Sequence, residues 1–390
     1  GYLFKLREAL LDNRDALTKL VTTENGKVYS DAAGEVRRGI EVVDFACGAP
    51  TLLMGQNLDQ VSRGIDSEMV RFPVGVVAGV TPFNFPFMVP MWMLPLAIAC
   101  GNTFILKPSE RTPLSSQRIV ELCAEAGIPA GVVNLVHGAV ETVTGLVTHP
   151  GVDAISFVGS ERVARIVYET SARNGKRVQA LGGAKNHLLV LPDAHPEMTA
   201  SNVTASMSGC AGQRCMAASA MVGVGNIDHI VNKIVEEAHK VVPGKNLGAV
   251  ISSQAKTRIE DYITQAERAG AKILVDGRNS VVAGKEGGYY VGPTVIDYVT
   301  PDMSVAREEI FGPVISIMRV KNLEEAIKIE NANPYGNAAS VFTQSGGLAR
   351  YVAEHASAGM IGVNIGVPVP REPFSFGGWN ESKFGACDIT

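Results

Sequence analysis

The first half of the chain alternates short apolar segments with segments of helical periodicity, and this alternation constrains the fold more than any other feature. Apolar residues fill the short segments almost without interruption, which is typical of strands buried on both faces. Helical crossovers between such strands produce a parallel sheet covered by helices, so the pattern predicts a doubly wound α/β domain of the nucleotide-binding type. The predicted strands are 74–80, 103–107, 132–136 and 154–158, and the helices that follow them are 87–100, 114–126, 141–148 and 161–173.

The same alternation restarts near residue 186 and predicts a second α/β domain. A polar and irregular segment, followed by an extended one, separates the first helices from the first strand and is a candidate arm. We therefore expect two domains, an arm, and a return of the chain to the first domain. The predicted boundaries are 1–58 with 74–185 for the first domain, 59–73 for the arm, 186–366 for the second domain and 367–390 for the returning segment.

Composition excludes several classes of protein. The 390 residues are 46% hydrophobic, enough for a large core, and the formal net charge is only −4. There is no basic stripe for nucleic acid and no polybasic tail for a membrane surface. The longest apolar run, Val89–Cys100, is interrupted by prolines and is too short to span a bilayer. We expect neither nucleic acid nor membrane as a partner.

The cysteine spacings fit neither a zinc site nor a disulfide framework. The chain contains no C-x-x-C pair, and no signal peptide is visible. We therefore predict no metal site and a reducing compartment. The six cysteines are Cys47, Cys100, Cys123, Cys210, Cys215 and Cys387.

Cys215 is the candidate nucleophile. It lies in the run Gly209–Met216, next to Arg214. A thiol of ordinary pKa is only a few per cent ionised at neutral pH, so a catalytic cysteine needs local help. Arg214 and nearby backbone N–H groups could supply that help. The alternative is a buried structural cysteine.

Asn84 is the candidate donor to an oxyanion. It lies between two prolines in the run Thr81–Pro86, which follows a predicted strand and opens a helix. The prolines restrict the backbone around the asparagine. Its amide could stabilise a developing oxyanion, and the alternative is a simple helix cap.

Three further motifs lie where a dinucleotide would bind. Lys107-Pro108-Ser109-Glu110 ends the second predicted strand, at the sheet edge that faces such a ligand. An acid there can bond ribose hydroxyls and would repel a 2′-phosphate, so Glu110 favours NAD over NADP. Gly159-Ser160 opens a helix whose N-terminus could bind a pyrophosphate. Glu308–Pro313 is an acid–aromatic turn. Solvated loops and ordinary glycine caps are the alternatives.

In their order and spacing these motifs resemble the aldehyde dehydrogenase superfamily over nearly the whole chain. The resemblance implies that Cys215 is the nucleophile and that Asn84 and the Cys215 backbone N–H form the oxyanion hole. It also implies NAD as cofactor and the presence of an oligomerisation arm. The resemblance implies that Lys107 and Glu110 bind the adenosine ribose, that Ser160 binds the pyrophosphate, and that Glu309 binds the nicotinamide ribose beside Phe311. The full set of residues implied to bind NAD is Thr81, Phe83, Lys107, Ser109, Glu110, Gly159, Ser160, Glu309 and Phe311.

Within the superfamily the chain resembles the CoA-acylating methylmalonate-semialdehyde dehydrogenases. The similar segments are 34–41, 82–86, 184–187 and 211–216. Hydrolytic relatives carry a glutamate near position 180 or 181, but here 176–187 contains no carboxylate, and the nearest acids in sequence are Glu169 and Asp193. Without a general base, attack by water should be slower by roughly 10²–10⁴. A thiol such as CoA, which ionises more readily, could enter instead.

Two arginines favour a substrate that bears a carboxylate, because the planar guanidinium suits a bidentate carboxylate. Arg214 adjoins the nucleophile, and Arg38 matches the family's other substrate arginine, with Arg37 as a rival. We expect His187 to order the core. The resulting interpretation is oxidation of methylmalonate or malonate semialdehyde, with NAD as cofactor, CoA as co-substrate and loss of CO2, to give propionyl-CoA or acetyl-CoA.

Two other functions remain open: a hydrolytic aldehyde dehydrogenase that gives a free acid, and a non-catalytic paralogue. We expect a homodimer or homotetramer, in the bacterial cytoplasm or alternatively the mitochondrial matrix. Relative to the family pattern, we also expect shortening at both termini and in the connection 241–248, with Ala249 where a proline is usual.

Overall fold

The computed structural model of the protein describes residues 1–386, so Cys387 and the end of the predicted returning segment lie outside the described residues. The helices of the described part are α1 (Tyr2–Asp12), α2 (Arg14–Asn25), α3 (Tyr29–Cys47), α4 (Ala49–Leu52), α5 (Met88–Ala99), α6 (Leu114–Glu125), α7 (Val140–Thr148), α8 (Glu161–Arg173), α9 (Pro196–Ser208), α10 (Asp228–Ala238), α11 (Ser253–Arg268), α12 (Ser304–Arg307), α13 (Leu323–Asn331) and α14 (Gly346–His355).

The strands follow the predicted alternation, with several additions. They are β1 (Gln56–Ser62), β2 (Ile65–Met69), β3 (Val76–Val80), β4 (Thr103–Lys107), β5 (Val133–Leu135), β6 (Ala154–Val158), β7 (Arg177–Leu181), β8 (His187–Val190), β9 (Ala220–Val224), β10 (Lys272–Val275), β11 (Thr294–Asp297), β12 (Val314–Val320), β13 (Tyr335–Gly336), β14 (Ala338–Phe342), β15 (Met360–Val363), β16 (Trp379–Asn380) and β17 (Lys383–Gly385).

The first large sheet has six strands in the order β17-β7-β6-β3-β4-β5. Strands β3 to β7 run parallel, and β17 is antiparallel to β7 at the edge. The chain moves outward from β3 to β5 and then returns to the other side through β6. This reversal between β3 and β6 is a topological switch point, where open α/β sheets bind their ligands at the carboxyl ends of the strands.

Strand β7 was not predicted from the sequence. It begins with a charged residue and carries Gln179, so it lacks the continuous apolar run of its neighbours. Pairing with β6 on one side and β17 on the other makes it a strand. It occupies part of the segment without carboxylates, and Ala180 and Leu181 are buried in the core.

The second large sheet has seven strands in the order β10-β11-β12-β9-β8-β14-β15. Only β10 is antiparallel to its neighbour. The side chains of β8, β9 and β14 are buried along their whole length, because helices cover both faces. The predicted fold class, α/β with a doubly wound first domain and a second α/β domain, is therefore confirmed.

Helix α3 positions the segment Thr81–Pro86, which contains Asn84. The sequence predicted one helix over 3–24 and a second over 36–47, but the first divides at Asn13 into α1 and α2, and α3 begins earlier, at Tyr29. Helices α3 and α5 pack closely, since a Cβ built on Gly39 would lie 2.5 Å from Phe87 Cε1. Because α5 begins directly after the Asn84 run, this packing holds that run against α3.

The segment predicted as an arm contains a β-hairpin. Strands β1 and β2 are antiparallel, and every side chain in them is exposed. The hairpin starts at Gln56, a little before the predicted boundary, and exposes Leu58 and Ile65. Within residues 1–386, no helix is both long enough and apolar enough to cross a membrane.

Candidate active site

The Cys215 segment begins with a strained turn. After α9 ends, Cys210, Ala211 and Gly212 have φ angles of 51°, 53° and 69°. A left-handed conformation costs a non-glycine residue roughly 1–2 kcal/mol. At Gly212 the surroundings also exclude a side chain, because a Cβ there would lie 2.0 Å from the backbone oxygen of Gly312. The turn thus brings the cysteine segment against the Glu308–Pro313 motif.

Two side-chain amides hold the backbone of Cys215. Asn186 Nδ2 and Asn337 Nδ2 donate to the Cys215 carbonyl oxygen at 2.8 Å and 2.9 Å. Asn186 also donates to Ala217 O and accepts from Ala338 N. Asn186 belongs to a segment that carried the family resemblance, but no local signal identified Asn337. These bonds fix the main chain from which the predicted nucleophile projects.

Asn84 lies beside the cysteine segment, as the oxyanion hypothesis requires. Its side chain is buried, and its Nδ2 donates to the backbone oxygen of Gln213 at 2.9 Å. A primary amide carries two N–H groups, so one donor remains for a ligand. The structure therefore brings together the predicted nucleophile and the predicted oxyanion donor, which are far apart in sequence.

The thiol of Cys215 is not activated in the way that we expected. Burial, and next the negative charge of Glu309, raise the pKa of the Cys215 thiol to about 12. Backbone N–H groups and Arg214 act in the opposite direction but are outweighed. Arg214 and the backbone N–H groups do favour the thiolate, as the sequence suggested, but removal from water disfavours it more strongly.

Arg214 is held by Asp31, a residue of α3 that sequence reasoning missed. Arg214 Nη2 donates to Asp31 Oδ1 at 3.2 Å. The other oxygen, Asp31 Oδ2, accepts from Cys210 N at 2.8 Å. Among the described residues, the Nε of Arg214 has no hydrogen-bond partner. One carboxylate therefore fixes both the turn before the nucleophile and the guanidinium beside it.

Arg38 lies inward on the same helix. Its side chain is 16% exposed, whereas that of Arg37 is 67% exposed, so the packing favours Arg38 as the family's second substrate arginine. Arg38 donates to Glu41 Oε2 at 3.0 Å and to Pro370 O at 3.1 Å. It lies about two turns after Asp31, on the same face of α3. The cation therefore already has protein partners.

The Glu309 carboxylate reaches the segment that lacks acids of its own. Glu309 Oε1 accepts from Ala184 N at 3.1 Å. Burial raises the pKa of Glu309 to about 7. Burial also lowers the pKa of Lys185 to about 7, and among the described residues Lys185 Nζ has no hydrogen-bond partner. Because Gly212 lies against Gly312, the turn that carries Glu309 packs against the segment that carries Cys215.

The acids nearest in sequence to that segment are engaged elsewhere. Glu169 pairs with Arg173 on the surface of α8, and Asp193 accepts from Thr343. Burial lowers the pKa of His187 to about 3, so this histidine stays neutral. His187 is fully packed in β8, as its predicted role in ordering the core requires.

Aromatic contact links two of the predicted cofactor motifs. The rings of Phe83 and Phe311 meet edge to face, with centroids 5.9 Å apart and planes at 80°. Phe83 precedes Asn84, and Phe311 closely follows Glu309. The contact therefore joins the oxyanion segment to the acid–aromatic turn.

The remaining predicted cofactor residues lie at the carboxyl edge of the first sheet. Thr81 follows β3 and its backbone N–H donates to Lys107 O at 3.1 Å. Lys107 Nζ lies 3.6 Å from the exposed carboxylate of Glu110. Ser109 accepts from Arg111 N in the same turn.

Across the switch point, Gly159 and Ser160 lead into α8. Ser160 is its N-cap residue but makes no side-chain capping bond, so the first turn of the helix remains available. On the other side of the switch point, the hydroxyl of Thr81 is buried and has no partner among the described residues. An orphaned hydroxyl, an uncapped helix N-terminus and the crevice between β3 and β6 together fit a dinucleotide. Among residues 1–386 no group of three or more His, Cys, Asp or Glu side chains is placed to hold a metal ion.

Comparison with known proteins identifies the class. The sequence matches the aldehyde dehydrogenase family over residues 1–389. It is 52% identical to malonate-semialdehyde dehydrogenase 2 of Geobacillus kaustophilus, over 98% of this chain and 80% of that protein. The chain belongs to the aldehyde dehydrogenase family, and the resemblance seen in the motifs is confirmed.

Solved structures give the same answer. The methylmalonate-semialdehyde dehydrogenase DddC of Oceanimonas doudoroffii matches with a TM-score of 0.98 and 46% identity, over 99% of this chain and 81% of that one. A Sinorhizobium meliloti protein named as a methylmalonate-semialdehyde dehydrogenase, solved in complex with NAD, matches with a TM-score of 0.97 and 43% identity, over 99% of this chain and 80% of that one. The protein is thus an oxidoreductase of the aldehyde dehydrogenase class.

Proposed function

We propose that the protein oxidises malonate or methylmalonate semialdehyde with NAD and transfers the acyl group to CoA with loss of CO2. The observation that carries the acylating part is the apolar character of Ala180 and Leu181. By the family resemblance, hydrolytic relatives carry a glutamate at or near one of these two positions, and here both residues are buried in β7. The names of the relatives, which include malonate-semialdehyde dehydrogenases, support the substrate class.

In this proposal the thiolate of Cys215 attacks the aldehyde carbon, and the second amide N–H of Asn84 donates to the developing oxyanion. One such donor is worth about 3–4 kcal/mol of barrier. Bound NAD would supply the acceptor for the hydride that leaves the tetrahedral carbon. Thr81, Lys107, Glu110, Ser160 and Glu309 would hold it. The carbon then becomes a thioester on Cys215.

The thioester of a malonate-type substrate carries its carboxylate β to the thioester carbonyl. The bond between the α-carbon and the carboxylate can break, so that CO2 leaves and the electron pair remains as an enolate that takes up a proton. Arg214 is suited to bind the carboxylate before this step, because it lies beside the nucleophile with an unused N–H. Arg38 would complete the clamp. The CoA thiol then displaces Cys215 and yields acetyl-CoA or propionyl-CoA.

The test is NADH formation from malonate or methylmalonate semialdehyde, with and without CoA, for the wild type, Cys215→Ala and Cys47→Ala. We expect one burst of NADH per site without CoA, steady turnover with CoA, and neither in Cys215→Ala. Cys47, a half-buried free thiol on α3, is the matched control. Equal steady turnover without CoA contradicts acylation.

A hydrolytic reaction is the second candidate, and Glu309 favours it. Its pKa of about 7 suits a general base, and its carboxylate interacts with Cys215. If turnover proceeds without CoA to a free acid and Glu309→Gln abolishes the deacylation step, this second function replaces the first. The failure to bind NAD and to form NADH at all would instead indicate a non-catalytic member of the family. A homodimer or homotetramer is the proposed assembly.

A further inference from the structure

A buried ion pair lies directly behind the oxyanion donor. Lys27 Nζ is 2.6 Å from Glu35 Oε2, and the two side chains are 1% and 0% exposed. The same Nζ donates to the backbone oxygen of Asn84 at 2.6 Å. It also lies 4.3 Å from the ring centroid of Phe85. The ammonium is therefore fixed against the residue whose side chain faces the nucleophile segment.

Glu35 extends this contact to the start of α5. Its second oxygen, Oε1, accepts from Phe87 N at 2.8 Å and from Met88 N at 3.1 Å. Both N–H groups lie at the N-terminus of the helix, where no intrahelical acceptor is available. Lys27 and Glu35 thus fasten the proline-rich segment at Asn84 and again at its end.

Stability alone is a poor explanation for such a pair. Removing two charges from water costs several kcal/mol for each ion, and well-packed apolar residues of the same volume are often as stable or more so. Burial disfavours the charge on Lys27, but the attraction and hydrogen bond of Glu35, together with an electrostatic contribution from Cys210, outweigh burial and raise the pKa of Lys27. The Lys27 ammonium therefore stays charged, and the hydrogen bonds of the two side chains are directed at one segment of main chain.

We propose that Lys27 and Glu35 are positioning residues that set the orientation of the Asn84 amide toward the oxyanion. The inference rests on the proposed role of Asn84. With the Asn84 carbonyl held by Lys27, and one amide N–H held by Gln213 O, the second N–H is left with a defined direction. Loss of the ion pair frees the backbone of Asn84 while the nucleophile and its own supports stay in place.

The experiment measures the rate of the first NADH burst in the full-length protein. Asn84→Ala is the reference variant, and we expect it to slow the burst by a factor of roughly 10²–10³. Lys27→Met is expected to slow the burst roughly tenfold or more. Because Lys27 acts through Asn84, Lys27→Met should add less than about twofold in the Asn84→Ala background, a strongly non-additive result. If the loss of burst rate in the double variant equals the product of the two single losses, the proposal is overturned.

A second variant separates positioning from stability. Lys27→Met with Glu35→Gln removes both charges but keeps an acceptor for Phe87 N and Met88 N. We expect its melting temperature to approach that of the wild type while its burst remains slow. Recovery of both melting temperature and burst would show that the pair serves stability alone and would overturn the inference.

Two controls complete the design. Alkylation of Cys215 by iodoacetamide develops no oxyanion, so its rate should match the wild type in every Lys27 and Glu35 variant. Lys176 is also a buried lysine, and its Nζ donates to His149 O and Val152 O. Lys176→Met should lower the melting temperature without changing the burst rate per folded molecule. If Asn84→Ala leaves the burst rate unchanged, the proposed role of Asn84 is itself wrong. This outcome differs from independent effects of the Lys27 and Asn84 substitutions, which would contradict only the role of Lys27.

Discussion

The guanidinium of Arg214 lies directly against Gly209: a Cβ built on Gly209 would lie 2.3 Å from Arg214 Cζ. Gly209 has a φ of −54°, which any residue adopts, so the turn itself does not require glycine here. The missing side chain leaves space for the guanidinium, and Asp31 holds it through an ion pair. Gly209 and Asp31 together define the position of the cation beside the nucleophile.

Gly209→Ala should therefore impair recognition of a carboxylate without preventing folding, because only the flexible end of Arg214 needs to move. A hydrogen bond to a charged group contributes about 1.5–3 kcal/mol, so we expect KM for malonate semialdehyde to rise roughly tenfold or more. Steady-state kinetics with CoA measure this. Propionaldehyde, which lacks a carboxylate, is the control substrate and should be affected little. An equal loss for both aldehydes would contradict this explanation.

The thiol of Cys215 should react slowly and without a plateau below pH 10. Burial and Glu309 raise its pKa to about 12, so the thiolate fraction grows roughly tenfold per pH unit in this range. Above pH 7 Glu309 is ionised, and Glu309→Gln removes its repulsion of the thiolate. We expect alkylation by iodoacetamide, in protein without NAD, to become about threefold to tenfold faster at pH 8–9. An unchanged rate would exclude electrostatic coupling between the two residues.

Gly212→Ala should destabilise the protein severely. The residue has a φ of 69°, and a Cβ would lie 2.0 Å from Gly312 O and 2.1 Å from Gly312 C. Backbone atoms on both sides must move, so we expect a loss of about 3 kcal/mol or more in the free energy of unfolding. Denaturant unfolding measures it. Gly34→Ala is the matched control: no atom lies within 4 Å of its Cβ, and the change should stabilise α3 by roughly 0.5–1 kcal/mol.

The exposed hairpin formed by β1 and β2 should mediate the proposed assembly. Ile65 is 56% exposed on a two-stranded hairpin, and isolated hairpins of this kind are marginal in water. We expect Ile65→Asp to shift the sedimentation coefficient toward a smaller species at micromolar concentration. Val281, which is 70% exposed, provides the control Val281→Asp, which should leave assembly unchanged. If both variants sediment identically, the hairpin is not part of the subunit interface.

Strands that are apolar along their whole length could be read from the sequence, because burial on both faces leaves a local composition signal. Strands β4 and β6 begin and end at the predicted residues. Strand β7 could not be predicted, since its pairing with β17 depends on a segment about 200 residues away along the chain.

Some residues of the candidate site could likewise be predicted from the sequence, and others could not. Cys215, Asn84 and Glu309 could be proposed from the sequence because they lie in distinctive short motifs. Lys27, Asp31 and Asn337 were not, since each acts through a contact with a distant segment and carries no motif of its own. The direction in which the pKa of Cys215 is shifted could not be predicted from the sequence either. The adjacent arginine is visible in the sequence, whereas desolvation depends on everything that packs around the thiol.

The sequence by itself determined the α/β class and the family, and it proposed Cys215 as the nucleophile and Asn84 as the oxyanion donor. These properties follow from periodicity and from residue types within short segments. Only the tertiary structure decided which carboxylate reaches the acid-free segment, which arginine of the pair 37 and 38 lies inward, and how Asn84 is held. Those outcomes depend on packing between α3, α5 and the cysteine turn, because burial and hydrogen-bond geometry are set by neighbours that the linear order does not specify.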